Sequence, residues 1–180
     1  MTVDPSRPLV GILMGSDSDL AVLEEAFDAL DSFRIPFEVK ILSAHRSPHE
    51  TAAYASSAAD RGLKVIIAGA GWAAHLAGVV AGHTTLPVIG VPIDSSPLQG
   101  MDALLATVQM PPGIPVATMA IGKGGARNAA LFAAQILATS NADLAARFAA
   151  FKAQMAADVV TQKNKRLENY LQQRTSGKSS

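Results

Sequence analysis

The feature that most constrains this chain is a series of short, continuously apolar runs separated by helical segments. Four of the runs lack charged residues, as strands buried on both faces of a parallel sheet do: LVGILM (9–14), VIIAGA (65–70), PVIGV (87–91) and VATMAI (116–121). A fifth run, FEVKI (37–41), alternates apolar and charged residues. This alternation predicts a strand at the edge of the sheet, where one face meets water.

The segments between the runs predict helices, which lie at 19–33, 48–61, 73–83, 98–108 and 125–139. Alternation of strands and helices is typical of α/β folds with right-handed crossovers and helices on both faces of the sheet. The strand order 2-1-3-4-5 places the alternating strand at an edge. We therefore predict a doubly wound, five-stranded parallel sheet.

The C-terminal part of the chain contains a helical pattern and no strand. Its apolar residues recur at spacings of four and three and form one stripe: Leu144, Phe148, Phe151, Met155 and Val159. Because helices already cover both faces of the sheet, we expect this stripe to pack on a neighbouring subunit; folding back on its own domain is the alternative. The predicted organisation is one domain over 1–180, with a core at about 8–140, an oligomerisation helix at about 142–171 and a disordered tail at 172–180.

Composition and charge exclude several classes of partner. Fifteen basic residues balance fifteen acidic ones without long blocks, so neither nucleic acid nor a membrane surface is expected to bind. The chain has no cysteine, which excludes disulfides, thiolate metal sites and a cysteine nucleophile. Residues 1–8 form no apolar signal core, which indicates a cytoplasmic protein. The uncharged stretch 65–82 is long enough to span a bilayer, but its four glycines and His75 favour a strand followed by a helix.

The predicted strand order brings three loops together. Strand 1 lies between strands 2 and 3, and ligands of such sheets bind beyond the carboxyl ends of the strands near this switch point. The loops that follow these strands are 15–19, 43–47 and 69–75, and they hold nearly all the polar residues of interest.

The first loop, MGSDSD, opens a helix, and free backbone N–H groups at a helix start suit a phosphate or a carboxylate. Ser16 and Ser18 can add hydroxyl donors, and Asp19 can accept a hydrogen bond from a ribose hydroxyl. The pattern is neither a Walker loop nor GxGxxG. It is equally compatible with a plain helix start that Asp17 or Ser18 caps.

The second loop lies in SAHRSPHE. Ser47, Pro48 and Glu50 predict a capping box with proline at the first helical position, and they need no functional explanation. His45 and Arg46 precede the cap, in the expected ligand crevice. An arginine offers a planar fork of donors to phosphate, and a histidine, with an ordinary pKa of ~6.5, transfers protons near neutrality. Taken in isolation, the pair reads more simply as a surface ion-pair partner and a hydrogen-bonded loop residue.

The third loop lies in GAGWAAHLAG, whose small residues let the backbone approach a ligand. His75 can donate to that ligand, although on local sequence we expect a satisfied helix residue, and His49 and His83 are expected at the surface. The four histidines are scattered and lack partnered carboxylates, so we expect no metal site. GKGGARNAA has the wrong spacing for a phosphate loop, and QMPPGIP predicts a rigid turn at a pocket rim.

Together these segments closely resemble one family, the bacterial 5-(carboxyamino)imidazole ribonucleotide mutases (PurE) of purine biosynthesis. MGSDSD, SAHRSP, VIIAGAGWAAHLAG, PVIGVP, VQMPPGIPVATMAIG and NAALFAAQILA occur in the family's order and spacing, over about 10–138. The resemblance implies a flavodoxin-like three-layer αβα sandwich, a homo-octamer with C-terminal helices reaching over neighbouring subunits, and a ribonucleotide substrate with no cofactor, ATP or metal. The SAHRSP form resembles the mutase class rather than the class that uses carbon dioxide directly.

The resemblance also implies residue roles. It makes His45 the general acid and base, and it assigns the substrate to Ser16, Ser18, Asp19, Ser43, Ala44, Arg46, Gly71, His75 and Leu76. The family's loop reads GGAAHLPG, whereas Trp72 and Ala77 here replace a glycine and the proline. These departures predict that the pocket is narrower at this wall or that the loop is hinged differently.

Three alternatives stay open. Within enzymes, the alternative is direct carboxylation of aminoimidazole ribonucleotide. A receiver-like signalling module would need an acidic residue at the end of strand 3, where this chain has Ala68 and Gly69. A flavodoxin-like FMN protein would give a yellow preparation.

Overall fold

The computed structural model describes residues 7–176 as a five-stranded parallel sheet between two layers of helices. The strands are β1 (Val10–Met14), β2 (Phe37–Ile41), β3 (Val65–Gly71), β4 (Val88–Ile93) and β5 (Ala117–Thr118). The helices are α1 (Leu20–Ser32), α2 (Pro48–Ser57), α3 (Leu76–Gly82), α4 (Met101–Val108), α5 (Lys123–Ala138), α6 (Ala142–Asp158) and α7 (Asn164–Ser176), with a 3₁₀ turn at Asp17–Asp19 and a π-helical turn at Val159–Lys163.

The sheet has the order β2-β1-β3-β4-β5, which confirms the predicted topology. Val10 of β1 pairs with Phe37 of β2 on one side and with Val65 of β3 on the other. These three strands therefore run in parallel, and the loops that follow them meet at the carboxyl ends of the strands. The predicted ligand loops lie there.

The side chains of β1 are divided between two apolar cores because successive residues of a strand point to opposite faces. Val10, Ile12 and Met14 belong to the core that α1 and α5 cover, whereas Leu13 belongs to the core beneath α2 and α3. All five residues of β1 are buried. The continuous apolar run was thus a correct indication of a central strand.

Strand β5 differs from its prediction. VATMAI was expected to be a strand buried on both faces, but only Ala117 and Thr118 pair with β4, and both residues are half-buried. The reason is position: β5 forms the second edge of the sheet. The flanking Val116 and Met119 pack against the two cores instead of extending the strand.

The C-terminal stripe divides into two parts, and its first part corrects the expectation of a purely intersubunit helix. Leu144 is buried, and Phe148 and Phe151 pack on Phe33 at the end of α1, with ring centroids 5.4 Å and 5.3 Å away. The Arg147 guanidinium donates to the Phe33 carbonyl over 2.7 Å. This half folds back on its own domain because α1 and α5 leave an apolar edge at their ends.

The second part of the stripe stays exposed, since Met155 is 49% and Val159 is 48% accessible. The helix also continues further than predicted: α7 reaches Ser176, inside the expected disordered tail, and residues 177–180 lie outside the described residues. Within the described part of the chain, no helix is both long enough and apolar enough to cross a membrane. The stretch 65–82 divides into β3 and α3.

Candidate functional site

A cavity of ≈ 580 Å³ lies at the carboxyl ends of β1, β2 and β3. Its lining contains every residue for which the sequence predicts a site role: Ser16, Ser18, Asp19, Ser43, Ala44, His45, Arg46, Gly71, His75 and Leu76. The topology brings these residues together from three loops that are distant in sequence. Their chemical roles remain predictions at this point.

The loop after β1 forms its own capping box. The Ser16 hydroxyl accepts from the Ser18 N–H over 3.3 Å, and the Ser16 N–H donates to Asp19 Oδ2 over 3.1 Å. The cap is therefore Ser16, and the expectation that Asp17 or Ser18 caps the helix is wrong. A 3₁₀ turn precedes α1, so the cap lies one turn earlier than a simple α-helix start would place it.

Asp19 is the buried carboxylate of the site, with 5% of its surface accessible. Burial raises the pKa of Asp19, because a charged carboxylate loses hydration there. Hydrogen bonds from the backbone of Ser16 and Gly15 and from the Ser18 side chain, with the charge of Arg46, act in the opposite direction without cancelling the effect of burial.

Arg46 joins the first and second loops. Its Nη2 donates to the Gly15 carbonyl over 2.5 Å, and its Nε donates to the Ser43 hydroxyl over 3.4 Å. Both acceptors are neutral, so these hydrogen bonds position the guanidinium without neutralising it. A smaller cavity of ≈ 360 Å³ opens beside it and is lined by Gly15, Ser16, Asp17, Ile41, Ser43, Arg46 and Ser47. This arrangement suits an anionic group.

Ser47 does not form the predicted capping box. Its hydroxyl accepts from the Ser43 N–H over 2.9 Å and donates to the Ser43 carbonyl over 3.2 Å, and it makes no hydrogen bond to the first turn of α2. Pro48 does occupy the first helical position, as predicted. The serine is used to close the 43–47 loop, because that loop must turn sharply to present His45 and Arg46.

His45 and His75 are in direct contact. Nε2 of His45 lies 2.8 Å from Nδ1 of His75, and the rings meet edge to face with centroids 4.9 Å apart. His75 lies at the N-terminus of α3 and bonds to a residue of another loop, so it is not the satisfied helix residue that local sequence suggested. Such a bond needs one nitrogen with a proton and one without. The pair can therefore hold one transferable proton between two imidazoles.

The third loop is close to the β4–α4 loop, which sequence reasoning did not include. Ser95 lines the cavity, and a side chain at Gly71 would meet the Ser95 hydroxyl at 1.9 Å and the Ile93 carbonyl at 3.2 Å. Gly71 therefore allows the two loops to approach. The sequence could have indicated Ser95 as a site residue, because it follows the carboxyl end of β4.

Several other motifs lie outside the cavity. His49 and His83 are exposed, as predicted, and Met110 of the QMPPGIP turn packs against Gly78 instead of lining the cavity rim. Gly125 of GKGGARNAA is buried against the Ala120 carbonyl, so this glycine serves close packing. Over the described residues, no three His, Asp, Glu or Cys side chains converge as metal ligands.

The fold and the cavity define the class: an α/β protein with a doubly wound sheet and an anion-suited site at its switch point. The profile of the AIR carboxylase family matches residues 9–173, and the chain belongs to that family.

Similar proteins extend over most of the chain. It is 59% identical to an N5-carboxyaminoimidazole ribonucleotide mutase of Bacillus subtilis, over 77% of this chain and 86% of the relative. It is 54% identical to the mutase of the same name from Mycobacterium tuberculosis, over 93% and 95%. Among solved structures, Treponema denticola PurE superposes with a TM-score of 0.78 at 30% identity, covering 88% of this chain and 98% of that one.

Proposed function

We propose that this protein is an N5-carboxyaminoimidazole ribonucleotide mutase. It converts 5-(carboxyamino)imidazole ribonucleotide to 4-carboxy-5-aminoimidazole ribonucleotide in purine biosynthesis, which makes it an isomerase. The names of the relatives support this reaction over direct carboxylation. The observation that carries the proposal is the His45–His75 pair beside Arg46 in one cavity, which places a proton carrier next to an anion-binding group.

The reaction moves a carboxylate from the exocyclic nitrogen to a ring carbon. The C–N bond breaks and releases carbon dioxide, the electron pair stays on the electron-rich aminoimidazole, and the ring carbon then attacks carbon dioxide to form the new C–C bond. No net oxidation occurs, so we expect no cofactor. Because the two fragments must stay together, the main contribution of the protein is to hold them in one small cavity.

His45 is the proposed proton carrier. It protonates the departing nitrogen and takes the proton that the ring carbon loses, so the proton balance over one turnover is zero. The bond to His75 fixes the ring orientation of His45. Arg46, Ser16, Ser18 and Ser43 hold the ribose phosphate, and Asp19 fixes the first loop and can accept from a ribose hydroxyl.

Small residues form part of the cavity lining. Ala70, Gly71 and Ala73 lie there with the side chain of Leu76. These residues offer carbon dioxide a surface with few polar groups, which is where we expect it to remain between the two steps. Ala44 also lines the cavity, from the second loop.

One assay tests the proposal against the carboxylase alternative. Purified protein is given either 5-(carboxyamino)imidazole ribonucleotide or aminoimidazole ribonucleotide, each with and without bicarbonate, and formation of the 4-carboxy product is followed. We expect product from the first substrate without bicarbonate. If product forms only from aminoimidazole ribonucleotide, and only when bicarbonate is present, the protein is the carboxylase instead. A visible absorbance spectrum of the same preparation tests the FMN alternative.

We further propose that the protein is a cytoplasmic homo-octamer. Exposed apolar residues in the second half of the C-terminal helix support an assembly, since Val160 is 67% and Leu167 is 54% accessible. Helix α4 exposes a second apolar face through Met101, Leu105 and Val108. Light scattering should give eight times the 18.6 kDa mass of the chain, and Val160→Asp should lower it. A monomeric wild-type protein would contradict the proposal.

A further inference from the structure

Trp72 is the one large side chain of the cavity that the proposed chemistry does not use, and it is the only tryptophan in the chain. Its backbone has a φ of 54°, in the left-handed region that bulky residues rarely adopt. The residue is 59% exposed, so core packing does not compensate for this conformation. Strained residues of this kind persist where the surrounding structure holds them, and they cluster at ligand sites.

The loop holds Trp72 close to the histidine pair. The Ala74 N–H donates to the Trp72 carbonyl over 2.9 Å, and the His75 N–H donates to the Ala73 carbonyl over 2.7 Å. These short-range bonds fix the path between β3 and α3. Trp72 lines the larger cavity together with both histidines, but it does not line the smaller cavity beside Arg46. The indole therefore shares the larger cavity with the two histidines, which is where the proposed reaction places the heterocycle.

The indole is available for a ligand. Among the residues that the structure describes, it meets no other aromatic ring and its ring N–H has no hydrogen-bond partner. A flat, electron-rich heterocycle can lie against an indole face, and removing such a stacking partner typically weakens binding by about 5- to 100-fold. An exposed tryptophan, on a backbone that short-range hydrogen bonds fix beside the histidine pair, is free to make this contact.

We propose that Trp72 is a ligand-contacting, specificity-determining residue whose indole covers the planar heterocycle of the nucleotide. The inference rests on the proposed function and deepens it by assigning recognition of the ring to a residue separate from the phosphate site at Arg46. The contact favours ring-bearing nucleotides over ribose 5-phosphate.

Tryptophan fluorescence tests the contact directly, because all tryptophan emission comes from Trp72. The full-length protein is titrated with 4-carboxy-5-aminoimidazole ribonucleotide and, separately, with ribose 5-phosphate, which lacks the ring. We expect a saturable change in emission with the nucleotide and almost none with ribose 5-phosphate at equal occupancy, measured by calorimetry. Emission that changes only when subunits dissociate would show that Trp72 is an interface residue, and would overturn the inference.

Two variants separate the contribution of the ring from that of the backbone. Trp72→Gly should raise the KM and the nucleotide Kd by about 10-fold, and Trp72→Phe by only about 2- to 3-fold because it keeps an aromatic face. Relief of the left-handed strain and the added flexibility of glycine oppose each other, so Trp72→Gly should change the Tm by no more than about 2 °C. Unchanged affinity in Trp72→Gly would overturn the inference.

Failure of the inference and failure of the proposed function give different results. If the wild-type protein turns over 5-(carboxyamino)imidazole ribonucleotide while Trp72→Gly keeps its KM, only the role of Trp72 is lost. If the wild-type protein neither binds nor converts the nucleotide, the proposed function fails and the inference fails with it.

Discussion

Strand β2 and helix α2 contribute to two polar clusters that differ in how far their groups satisfy one another. At the carboxyl end of β2, Arg46 donates only to neutral oxygens and His45 bonds to another histidine. Near the amino end of the same strand, Glu38 accepts from the Tyr54 hydroxyl over 2.7 Å and pairs with Arg61. The first cluster keeps hydrogen-bonding groups and a positive charge that we propose bind the substrate. In the second cluster, the hydrogen-bonding groups and charges satisfy one another.

The second cluster, formed by Glu38, Tyr54 and Arg61, shows what complete satisfaction does to the electrostatics. Burial opposes ionisation of Glu38, but hydrogen bonds from Arg61 and Tyr54 with the positive charge of Arg61 outweigh it and lower the pKa. Burial and the bond to Glu38 raise the pKa of Tyr54. The Arg61 guanidinium also lies 4.4 Å from the centre of the Tyr54 ring. This cluster stabilises the fold, so its variants should change stability and leave the chemistry intact.

The largest effect is expected for His45→Asn, which removes the proposed proton carrier from the first cluster. Loss of a general acid–base group lowers turnover by about 10²- to 10⁴-fold, while the phosphate contacts keep nucleotide binding near normal. Steady-state kinetics and isothermal titration calorimetry measure the two quantities. The matched control is His49→Asn, an exposed histidine four residues further on that should leave both unchanged. Near-normal turnover of His45→Asn would contradict the assignment.

The next effect concerns Arg46→Ala. Loss of a charge-assisted contact to the phosphate should raise the KM by about 10- to 100-fold and change kcat much less. The KM of the wild-type protein should also rise with salt more steeply than that of the variant. The control is Lys64→Ala, which changes an exposed cation just before β3, at the amino end of the strands, and should behave as wild type. A fall in kcat alone would assign Arg46 to the chemical step.

A third prediction addresses the second cluster through Gly11, whose added Cβ would meet the Tyr54 hydroxyl oxygen at 2.3 Å. Gly11→Ala should lower the free energy of unfolding by about 2 kcal/mol, measured by urea denaturation, with unchanged kcat per folded protein. In a Tyr54→Phe background the cost should be smaller because the clashing oxygen is absent. Equal costs in the two backgrounds would show that the clash is not with Tyr54.

The smallest effect is the pH dependence that Glu38 contributes. Its folded pKa lies below the ordinary value of 4.5, so its stabilising contribution is fully present above about pH 4.5 and is lost as the pH falls through the folded pKa. Because water screens this half-exposed pair, we expect a contribution of about 0.5 kcal/mol. Unfolding of wild type and Glu38→Gln should therefore differ near neutrality and converge in acid. A difference that grew in acid would reverse the sign and refute the assignment.

The sheet could be predicted because its determinants are local. The continuous apolar run of β1 and the alternation of β2 each specify how many faces of a strand are covered, and the order β2-β1-β3-β4-β5 follows from placing the alternating strand at an edge. The prediction of a long strand failed for β5. An apolar run indicates that its residues are buried, but not whether strand pairing or side-chain packing on the cores buries them. The predicted capping box also failed, because the Ser47 hydroxyl could bond either to the first turn of α2 or to the backbone of Ser43, and it bonds to Ser43.

The site could be predicted only in outline. The topology rule grouped His45, Arg46 and His75 with the first loop, and the family resemblance gave His75 a substrate role that local sequence had not favoured. The bond between the two histidines was beyond either argument, since it depends on ring orientations that packing decides. Ser95 was missed because the strand from which it follows, β4, is one step beyond the switch point.

The sequence by itself determined which segments become strands and helices, their order in the sheet, and the end of the strands at which the cavity lies. These properties follow from hydrophobic periodicity and the handedness of crossovers, which the chain expresses over a few residues at a time. Only the tertiary structure decided that His45 meets His75, that half of the C-terminal helix packs on Phe33, and that Trp72 faces the cavity in a left-handed conformation. The first two depend on distances between residues far apart in sequence, and the third depends on the path of the loop between β3 and α3. These are fixed only when the whole core packs.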